Sequence, residues 1–219
     1  MRPRLDFNNY IFDCDGVIFD SNRLKINAMK ESLQDLGIES LMLDESVNHF
    51  SRNFGLSRYN HAKRIAEING YIDTEDSRSF QDALLSKYSK KCRELYLKAD
   101  ITPGFLEFHA GCNGLKFVAS GSNQEELVDV FVQRGLCDLF DGIYGSPTPK
   151  KELVKNIVEN TEGETVLIGD AVADFDAAVA NSISFVFYTP FSTAFERMQE
   201  LRTIYGFPVI DDFKEELTT

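Results

Sequence analysis

An apolar, aromatic run near the start of the chain ends abruptly in carboxylates and a glycine. Residues 10–12 have the composition of a buried strand, and the segment Asp13-Cys14-Asp15-Gly16 follows them directly. Ligands of a parallel open sheet bind outside the carboxyl ends of its strands, so a strand that ends in this way predicts such a sheet with a site at its tip. Taken alone, the segment is also compatible with an acidic turn that closes a hairpin.

Asp13 and Asp15 are expected to project from the same side of this strand, because side chains alternate along a strand. Two carboxylates roughly 6 Å apart repel each other unless a cation, a basic side chain or a shared proton lies between them. The pair therefore predicts a metal ion. Asp13 is then a candidate nucleophile, and Asp15 is a candidate proton donor to a leaving group.

The segment over residues 21–100 carries only helical signals. Ser21 is a candidate N-cap, and apolar residues at helical spacing predict a helix over residues 22–36. Further helices are predicted over residues 45–50, 59–69 and 75–98. Since no strand signal interrupts them, we expect residues 21–100 to form an inserted helical cap domain, with residues 1–20 and 101–219 forming the main domain.

The rest of the chain alternates between strand and helix. Strands are predicted over residues 116–119, 142–144, 165–168 and 183–188, helices over 124–134, 151–159, 175–180 and 193–201, and a last short apolar run over 207–210. Such alternation is typical of βαβ units, and nearly continuous apolar strands belong in a parallel sheet that is buried on both faces. We therefore expect an α/β protein with a Rossmann-like three-layer core and an inserted all-helical cap domain.

Polar groups follow the strand predicted at residues 116–119. Ser120, Gly121, Ser122 and Asn123 stand between this strand and the next helix, where a hydroxyl, glycine amides and the N–H groups of a helix start would face a ligand. The segment therefore predicts a phosphate-binding loop. Serine and asparagine before a helix are also common N-caps, so an ordinary helix cap is the alternative.

A second apolar strand, predicted at residues 165–168, also delivers carboxylates at its end. Asp170 is expected to join Asp13 on one cation, and Asp174 is expected to bind that cation through water or to orient its neighbours. A few carboxylates, a carbonyl and several waters suit Mg2+ better than Ca2+. The alternative for Asp174 is that it only caps the following helix.

Basic side chains are available for an anion near these carboxylates. Lys150 and Lys151 follow the rigid loop at residues 146–149, and a cation at the start of a helix is slightly unfavourable without a partner. One of the two lysines is therefore expected to neutralise the nucleophile and a transferring phosphoryl group. Arg58, at the end of the turn over residues 54–58, is a candidate anion ligand, although a solvated charge at a helix start is equally consistent with the sequence.

Composition argues against several classes of partner. The formal net charge of −12 and the lack of a basic stripe argue against nucleic acid and anionic membranes. No run has the length and hydropathy of a membrane span, and residues 1–6 contain basic residues with no apolar segment behind them, so we expect a cytoplasmic protein without a secretory signal. The 4 cysteines are widely spaced and predict reduced thiols, and the 3 histidines do not fit a zinc pattern.

Taken in order, these segments resemble the haloacid dehalogenase superfamily of phosphotransferases, in the subclass whose helical cap follows the first strand. The resemblance covers nearly the whole chain and includes Asp13-x-Asp15-Gly16-Val17, the Ser120-Gly121 strand end, the lysine loop, and Gly169-Asp170 followed by Asp174. It implies that Asp13 is the nucleophile and that Asp15 is the general acid and base. It also implies Mg2+ between Asp13, the main-chain carbonyl of Asp15 and Asp170, with the phosphate held by Ser120 and Lys150.

Three features refine this resemblance. Family dehalogenases lack an aspartate at the place of Asp15, which argues against that activity. The lysine loop over residues 146–150 departs from the commoner glycine-lysine-proline form and looks like a variant of it, so Lys151 stays an alternative to Lys150. The turn over residues 55–58 resembles the turn that reads the substrate in the beta-phosphoglucomutase branch, which makes Arg58 the candidate for substrate specificity.

We therefore expect a Mg2+-dependent phosphomonoester hydrolase that acts on a small phosphorylated metabolite, such as a sugar phosphate or a phosphoglycolate-like acid, through an aspartyl-phosphate on Asp13. The first alternative is a mutase that uses the same aspartates and returns the phosphoryl group to a sugar. The second is a non-catalytic protein that binds a metabolite or carries phospho-aspartate as a signal. We expect a monomer or a weak homo-oligomer.

Overall fold

A computed structural model describes residues 6–72 and 75–216 of the chain. Residues 1–5, which carry most of the expectation about a secretory signal, lie outside the described part. Within the described part, no helix combines the length and the apolar character that crossing a membrane requires.

The described strands form one six-stranded parallel sheet. They are β1 (Asn9–Phe12), β2 (Leu115–Asn123), β3 (Gly142–Ser146), β4 (Thr165–Gly169), β5 (Ser184–Tyr188) and β6 (Val209–Ile210). Across the sheet their order is β3-β2-β1-β4-β5-β6, and each neighbouring pair is parallel. β1 is therefore central, and the strand order reverses beside it, which is where open α/β sheets bind ligands. The predicted fold class is confirmed.

The first four helices after β1 in the described chain are α1 (Asn22–Gln34), α2 (Ser40–Arg52), α3 (Arg58–Ile68) and α4 (Glu75–Tyr96). We call them the cap helices. α1 packs on α2 and α4, and α3 packs on the same two helices. The helical character predicted for this segment agrees with its described residues, whereas its boundaries as a domain, at residues 21 and 100, stay a prediction.

The remaining helices cover both faces of the sheet. They are α5 (Phe105–Gly111), α6 (Gln124–Gln133), α7 (Lys150–Glu159), α8 (Val172–Ala180), α9 (Phe195–Tyr205) and α10 (Phe213–Glu216). Side chains alternate along β1, so Ile11 packs with α7, α8 and α9, while Tyr10 and Phe12 pack with α5, α6 and α10 on the other face. This gives the three layers that the apolar strands predict.

Several short elements differ from the sequence prediction. α5, α10 and a 3-10 turn at Cys137–Leu139 were not predicted. Helices this short are stabilised by tertiary contacts rather than by intrinsic propensity, so periodicity does not reveal them. In α10, for example, the ring of Phe213 stacks on Tyr188 with centroids 4.1 Å apart. β2 is also longer than predicted, because Asn123 pairs with Ser146 of β3 beyond a register shift.

We expect the aromatic packing of α6 to contribute strongly to stability. Phe131 is fully buried, and its ring centroid lies 5.6 Å from those of Phe19 and Phe140. Phe131→Ala should lower the free energy of unfolding by about 3–5 kcal/mol, because it leaves a cavity. Val132 is 60% exposed on the same helix, so Val132→Ala should change that free energy by less than about 0.5 kcal/mol. Urea unfolding measures both values, and equal losses would contradict this packing.

Candidate functional site

The ends of three neighbouring strands meet where the strand order reverses. Asp13 follows β1, Asp170 follows β4, and Ser120 lies near the end of β2. The main-chain N–H of Asp13 donates to the carbonyl of Ile168 at 3.0 Å, which ties the ends of β1 and β4 together. Candidate residues that lie far apart in the sequence are thus neighbours in the fold.

Asp13, Asp170 and Asp174 form an acidic cluster in which one carboxylate oxygen of each residue lies within 4.8 Å of the others. All three side chains are buried. Burial raises the pKa of Asp13 to about 7; the Asp174 carboxylate adds to this rise and Lys150 opposes it. Burial, together with Asp13 and Asp174, also raises the pKa of Asp170 well above its usual range. The carboxylates therefore repel one another where little water is present to screen them.

Lys150, the first residue of α7, brings a cation to the acidic cluster. Its ammonium donates to Asp13 Oδ1 at 2.7 Å and also to Asp174 Oδ1. Burial alone would lower the pKa of Lys150, but the two carboxylates raise it instead, so the side chain stays charged. Lys151, by contrast, is exposed and lines a groove on the outer surface. Of the two lysines that the sequence left open, Lys150 is the one in contact with Asp13.

Asp170 is held in place from two sides. Asn22 Nδ2 donates to Asp170 Oδ2 at 2.7 Å and to the carbonyl of Phe191 at 2.9 Å, and Ser192 Oγ donates to the Asp170 carbonyl at 2.5 Å. Gly16 provides the space for this arrangement, because a Cβ there would lie 2.4 Å from both Asn22 Nδ2 and Asp170 Oδ2. Its φ of +77° also favours glycine. The packing around Asp170 therefore explains the glycine that follows the two aspartates.

Asp174 has two roles in the structure. Its Oδ2 accepts the main-chain N–H of Ala171 at 3.0 Å, which caps the start of α8, while Oδ1 accepts from Lys150. The helix cap that the sequence offered as an alternative is therefore present. The same side chain also belongs to the acidic cluster.

The acidic cluster has the chemistry of a divalent-cation site. Three carboxylates against one ammonium leave an excess of negative charge that a divalent ion would offset, and carboxylate oxygens are ligands that Mg2+ prefers. Asn22 Oδ1, next to Asp170, is buried without a hydrogen-bond partner among the described residues. The Asp15 side chain, which the sequence also proposed near a metal, is not part of this cluster.

The Asp15 carboxylate belongs to a separate buried polar network. Lys25 Nζ donates to its Oδ2 at 2.7 Å, and Ser21 Oγ and Tyr96 Oη donate to its Oδ1 at 2.6 and 2.7 Å. Ser122 Oγ also donates to Oδ2, at 3.3 Å. Burial alone would raise the pKa of Asp15, but Lys25 and the hydrogen bonds hold it below its usual value. Asp15 is therefore ionised in this arrangement.

The sequence analysis missed Lys25 and Tyr96 as site residues. Lys25 lies on the same buried face of α1 as Ala28, and a lysine within an apolar stripe was the signal that could have identified it. Tyr96 falls within the helix predicted over residues 75–98, and periodicity does not show where its hydroxyl points. Ser21 occupies the N-cap position of α1, as predicted, but its hydroxyl makes no cap hydrogen bond and instead donates to Asp15.

The predicted phosphate loop lies beside both groups of carboxylates. Ser120 is buried, and its Oγ accepts the main-chain N–H of Ser122 at 3.1 Å. Gly121 and Ser122 line a small cavity together with Asp13 and Asp15. The end of β2 therefore brings Gly121 and Ser122 beside Asp13 and Asp15.

Asn123 has a different position. Its Oδ1 accepts the main-chain N–H of Glu126 at 3.1 Å, and so the N-cap offered as an alternative is confirmed for this residue. Its Nδ2 donates to the hydroxyl of Tyr59 on α3 at 3.2 Å. Asn123 therefore lies where the cap helices contact the end of β2, and it does not line the cavity beside Asp13.

The turn between α2 and α3 packs closely against the end of β2. A Cβ on Gly121 would lie 2.8 Å from the carbonyl oxygen of Leu56 and 2.9 Å from that of Gly55, and a Cβ on Gly55 would lie 2.7 Å from Ala173 Cβ. Small residues on both sides therefore allow the cap helices to approach the acidic cluster. Arg58, the first residue of α3, reaches the same cavity as Asp13 and Asp15.

The chain matches one protein-family model, described as haloacid dehalogenase-like hydrolase, over residues 10–188. The matched residues include the acidic cluster, Lys150, residues 120–123 at the end of β2 and the cap helices. A search of curated proteins found no match.

Solved structures share the fold over almost their whole length. A predicted phosphatase from Clostridium acetobutylicum is 19% identical, with a TM-score of 0.74 and 97% of each chain covered. A hydrolase from Pseudomonas syringae is also 19% identical, with a TM-score of 0.73 and 94% of each chain covered. Beta-phosphoglucomutase from Clostridium difficile is 20% identical, with a TM-score of 0.67 and coverage of 96% of this chain and 97% of that one.

We expect Mg2+ to stabilise the folded protein through the acidic cluster. A ligand that binds only the folded state adds about 2.7 kcal/mol at roughly 100 times its Kd, so Mg2+ should raise Tm. Asp170→Asn should remove most of this increase, because it takes away a charged ligand. Asp176→Asn, on α8 but outside the cluster, should preserve it. Calorimetry with Mg2+ and with EDTA measures the difference, and equal increases in both variants would contradict the assignment.

Lys25→Met should destabilise the protein by about 3–5 kcal/mol, because it leaves the buried Asp15 carboxylate without its cation. The double variant Lys25→Met/Asp15→Asn should recover most of that loss, since no unpaired charge remains buried. Lys155, in an exposed pair with Glu159, provides the control, and Lys155→Met should have little effect. Urea unfolding measures the free energy of unfolding of each variant. If the double variant is no more stable than Lys25→Met, the Lys25–Asp15 ion pair does not explain the destabilisation.

Proposed function

The chain belongs to the haloacid dehalogenase-like hydrolases, and from this premise we propose that it hydrolyses the phosphate monoester of a small metabolite, with Mg2+, through phosphorylated Asp13. The observation that carries the proposal is the contact between Asp13 and Lys150 within the acidic cluster. A buried carboxylate, a cation and a candidate metal site then lie together at the point where the strand order reverses, as phosphoryl transfer requires.

The surroundings of Asp13 suit a phosphate group. A phosphoryl group beside it would meet the Lys150 ammonium, the Ser120 hydroxyl and the main chain of Gly121 and Ser122. Asp13, Asp170 and the main-chain carbonyl of Asp15 would hold Mg2+, with Asp174 close to it, and the ion would supply charge neutralisation for the phosphate oxygens. Stabilisation of that charge is the largest contribution to catalysis of phosphoryl transfer.

In the first step, a carboxylate oxygen of Asp13 attacks the phosphorus in line, and the bond from phosphorus to the leaving oxygen breaks. The proton that Asp15 took from water in the preceding turnover passes to that oxygen, so an alcohol leaves and Asp15 becomes the ionised carboxylate that the structure shows. Lys150, in contact with Asp13, would neutralise charge on the transferring group.

In the second step, water attacks the phosphorus of phosphorylated Asp13. Asp15 takes a proton from the water, phosphate leaves and the Asp13 carboxylate is restored. Lys25, Ser21 and Tyr96 hold Asp15 in its ionised form, and this is the form from which the second step begins.

The cap helices contribute to this chemistry directly. Lys25 of α1 and Tyr96 of α4 contact Asp15, and the turn with Gly55 and Leu56 covers the end of β2. A cap in this position excludes bulk water from the phosphorylated aspartate and brings its own side chains against the leaving group.

A mutase is the second candidate function. It is favoured by the position of Arg58 in the cavity beside Asp13, on a turn that resembles the substrate-reading turn of the beta-phosphoglucomutase branch. Such an enzyme would pass the phosphoryl group from Asp13 to a sugar hydroxyl instead of water. It would release little phosphate, and a sugar bisphosphate would activate it.

A screen for phosphate release over metabolite phosphates with Mg2+ tests the proposal. We expect turnover that Asp13→Asn abolishes, because the nucleophile is removed, and that Asp15→Asn lowers by a factor of about 100 to 10,000, as for loss of a general acid and base. Enzyme quenched in acid during turnover should carry one phosphoryl group on the peptide that contains Asp13, as detected by mass spectrometry.

Asp20→Asn serves as the matched control, because Asp20 lies in the same segment but outside the acidic cluster; it should retain turnover. Phosphate release that persists in Asp13→Asn would exclude Asp13 as the nucleophile. Activation by a sugar bisphosphate with little phosphate release would favour the mutase.

A further inference from the structure

The cap helices are joined to the rest of the chain by two segments that pair with each other. Linker 1 is residues 13–21, between β1 and α1, and linker 2 is residues 97–104, between α4 and α5. Phe19 of linker 1 and Ile101 of linker 2 form an antiparallel bridge, and a main-chain hydrogen bond of 2.9 Å lies on each side of it. Because both connections run through this pair, its position determines where the cap helices stand relative to the sheet.

Arg134, at the C-cap of α6, contacts both linkers. Its Nη1 donates to the carbonyl of Tyr96, the last residue of α4, at 2.8 Å and to the carbonyl of Ala99 in linker 2 at 2.5 Å. Its guanidinium carbon lies 4.8 Å from the ring centroid of Phe19 in linker 1. The side chain therefore caps the C-terminus of α4, where a cation is favourable, and adds a cation–π contact to the other linker.

The Arg134 side chain has no acidic partner. It forms no ion pair with any residue that the structure describes, although the chain has 35 acidic residues. Its side-chain hydrogen bonds both go to main-chain carbonyls within residues 96–99. Since it neutralises no carboxylate, its contacts fix the position of the backbone at the end of α4.

The residue that Arg134 holds by its main chain is also the one whose hydroxyl reaches Asp15. Tyr96 is 1% exposed, and its Oη donates to Asp15 Oδ1 at 2.7 Å and lies 2.7 Å from Ser122 Oγ. The ring of Phe19 packs edge-on against the ring of Tyr96, with the centroids 6.0 Å apart. Arg134 thus contacts the backbone of Tyr96 and the ring on which its side chain packs.

The orientation of the Asp15 carboxylate depends on where the Tyr96 hydroxyl lies. Tyr96 and Ser21 share Oδ1 of Asp15, and Lys25 binds Oδ2, so each oxygen has its own donors. The phenol oxygen is the far end of a rigid side chain, and a small rotation of the backbone at the end of α4 therefore displaces it further. Misplacement of a reacting group by about 1 Å can cost about 100-fold in rate.

We propose that Arg134 is a positioning residue: by holding both linkers it keeps the Tyr96 hydroxyl against Asp15 and so keeps the Asp15 carboxyl in the orientation that proton transfer needs. Arg134 itself contacts neither Asp15 nor Asp13 and acts through Tyr96. The inference rests on the proposed function, because there Asp15 is the general acid and base. It extends the functional site to the far end of α6.

Two kinds of phosphate ester test the inference. The alkyl phosphate that the phosphate-release screen identifies as the best substrate needs a proton on its leaving oxygen, whereas p-nitrophenyl phosphate releases a stable phenolate without one. Arg134→Met should lower kcat/KM for the alkyl phosphate about 10-fold more than kcat/KM for p-nitrophenyl phosphate, and Tyr96→Phe should do the same. Since kcat/KM covers only the steps up to transfer to Asp13, the second step does not affect this ratio.

The double variant Arg134→Met/Tyr96→Phe shows whether Arg134 acts through Tyr96. If it does, the ratio of the two kcat/KM values in the double variant equals that in Tyr96→Phe, because one contact is lost only once. Single effects that multiply in the double variant overturn the inference. Arg134→Lys keeps the charge but lacks the planar fork, so the ratio should fall only about 3-fold. If Arg134→Met does not fold, Arg134→Lys and its double variant with Tyr96→Phe decide by the same comparison.

Arg93 provides a matched control. Its Nη2 lies 2.6 Å from Asp129 Oδ2, so this arginine also links α4 to α6. The pair is exposed, however, and among the described residues Arg93 makes no hydrogen bond to either linker. Arg93→Met should therefore leave the ratio unchanged. If both arginine variants reduce the ratio equally, or if Arg134→Met slows both esters by the same factor, Arg134 only stabilises the fold and the inference is wrong.

The outcomes distinguish this inference from the proposed function. If hydrolysis depends on Asp13 but Arg134→Met leaves the ratio unchanged, the function stands and the inference alone is overturned. If no phosphate ester is hydrolysed, the proposed function fails, and thermal unfolding decides the inference. Tyr96→Phe should then lower Tm by about half as much in Arg134→Met as in the unaltered protein, because the hydroxyl is already displaced. Equal decreases in Tm overturn the inference.

Discussion

The repulsion between buried carboxylates at the end of the central strand is the constraint on which the rest of this structure depends. Asp13, Asp170 and Asp174 come within 4.8 Å of one another in a place with little solvent. Such an arrangement is stable only with compensating charge and fixed geometry. Lys150 supplies part of the charge. Asn22 and the main-chain N–H of Ala171 orient the carboxylates of Asp170 and Asp174, and Ser192 donates to the main-chain carbonyl of Asp170. The remaining negative charge makes the cluster a place for a divalent cation.

Two aspartates on the same short segment have opposite electrostatic environments. Burial raises the pKa of Asp13 and neighbouring carboxylates add to the rise, whereas Lys25 and the hydroxyl groups of Ser21 and Tyr96 hold the pKa of Asp15 below its usual value. Different environments for two like groups are how active sites divide roles between them. Here the cap helices cause part of the difference, because Lys25 and Tyr96 belong to α1 and α4.

The cap helices therefore have a chemical role as well as a covering one. They supply polar side chains to Asp15, and Arg58, His61 and Tyr88 line the cavity beside it. The ends of the strands and the helices beside them provide the acidic cluster and Lys150. Because the two groups of side chains come from different parts of the chain, the cap helices can change without altering the acidic cluster or Lys150.

The fold class and the position of the candidate site were determined by local features of the sequence. Apolar strands that end in Asp13 and Asp170, glycine at position 16 and the alternation of strand and helix predicted the parallel sheet and a site at its edge, because those signals depend on neighbours along the chain. The choice of Lys150 over Lys151 as the partner of Asp13, the network around Asp15 and the contacts of Arg134 with both linkers were decided only by the tertiary structure. Periodicity shows which face of a helix is buried, but partners from distant segments meet only after the helices and the sheet have packed.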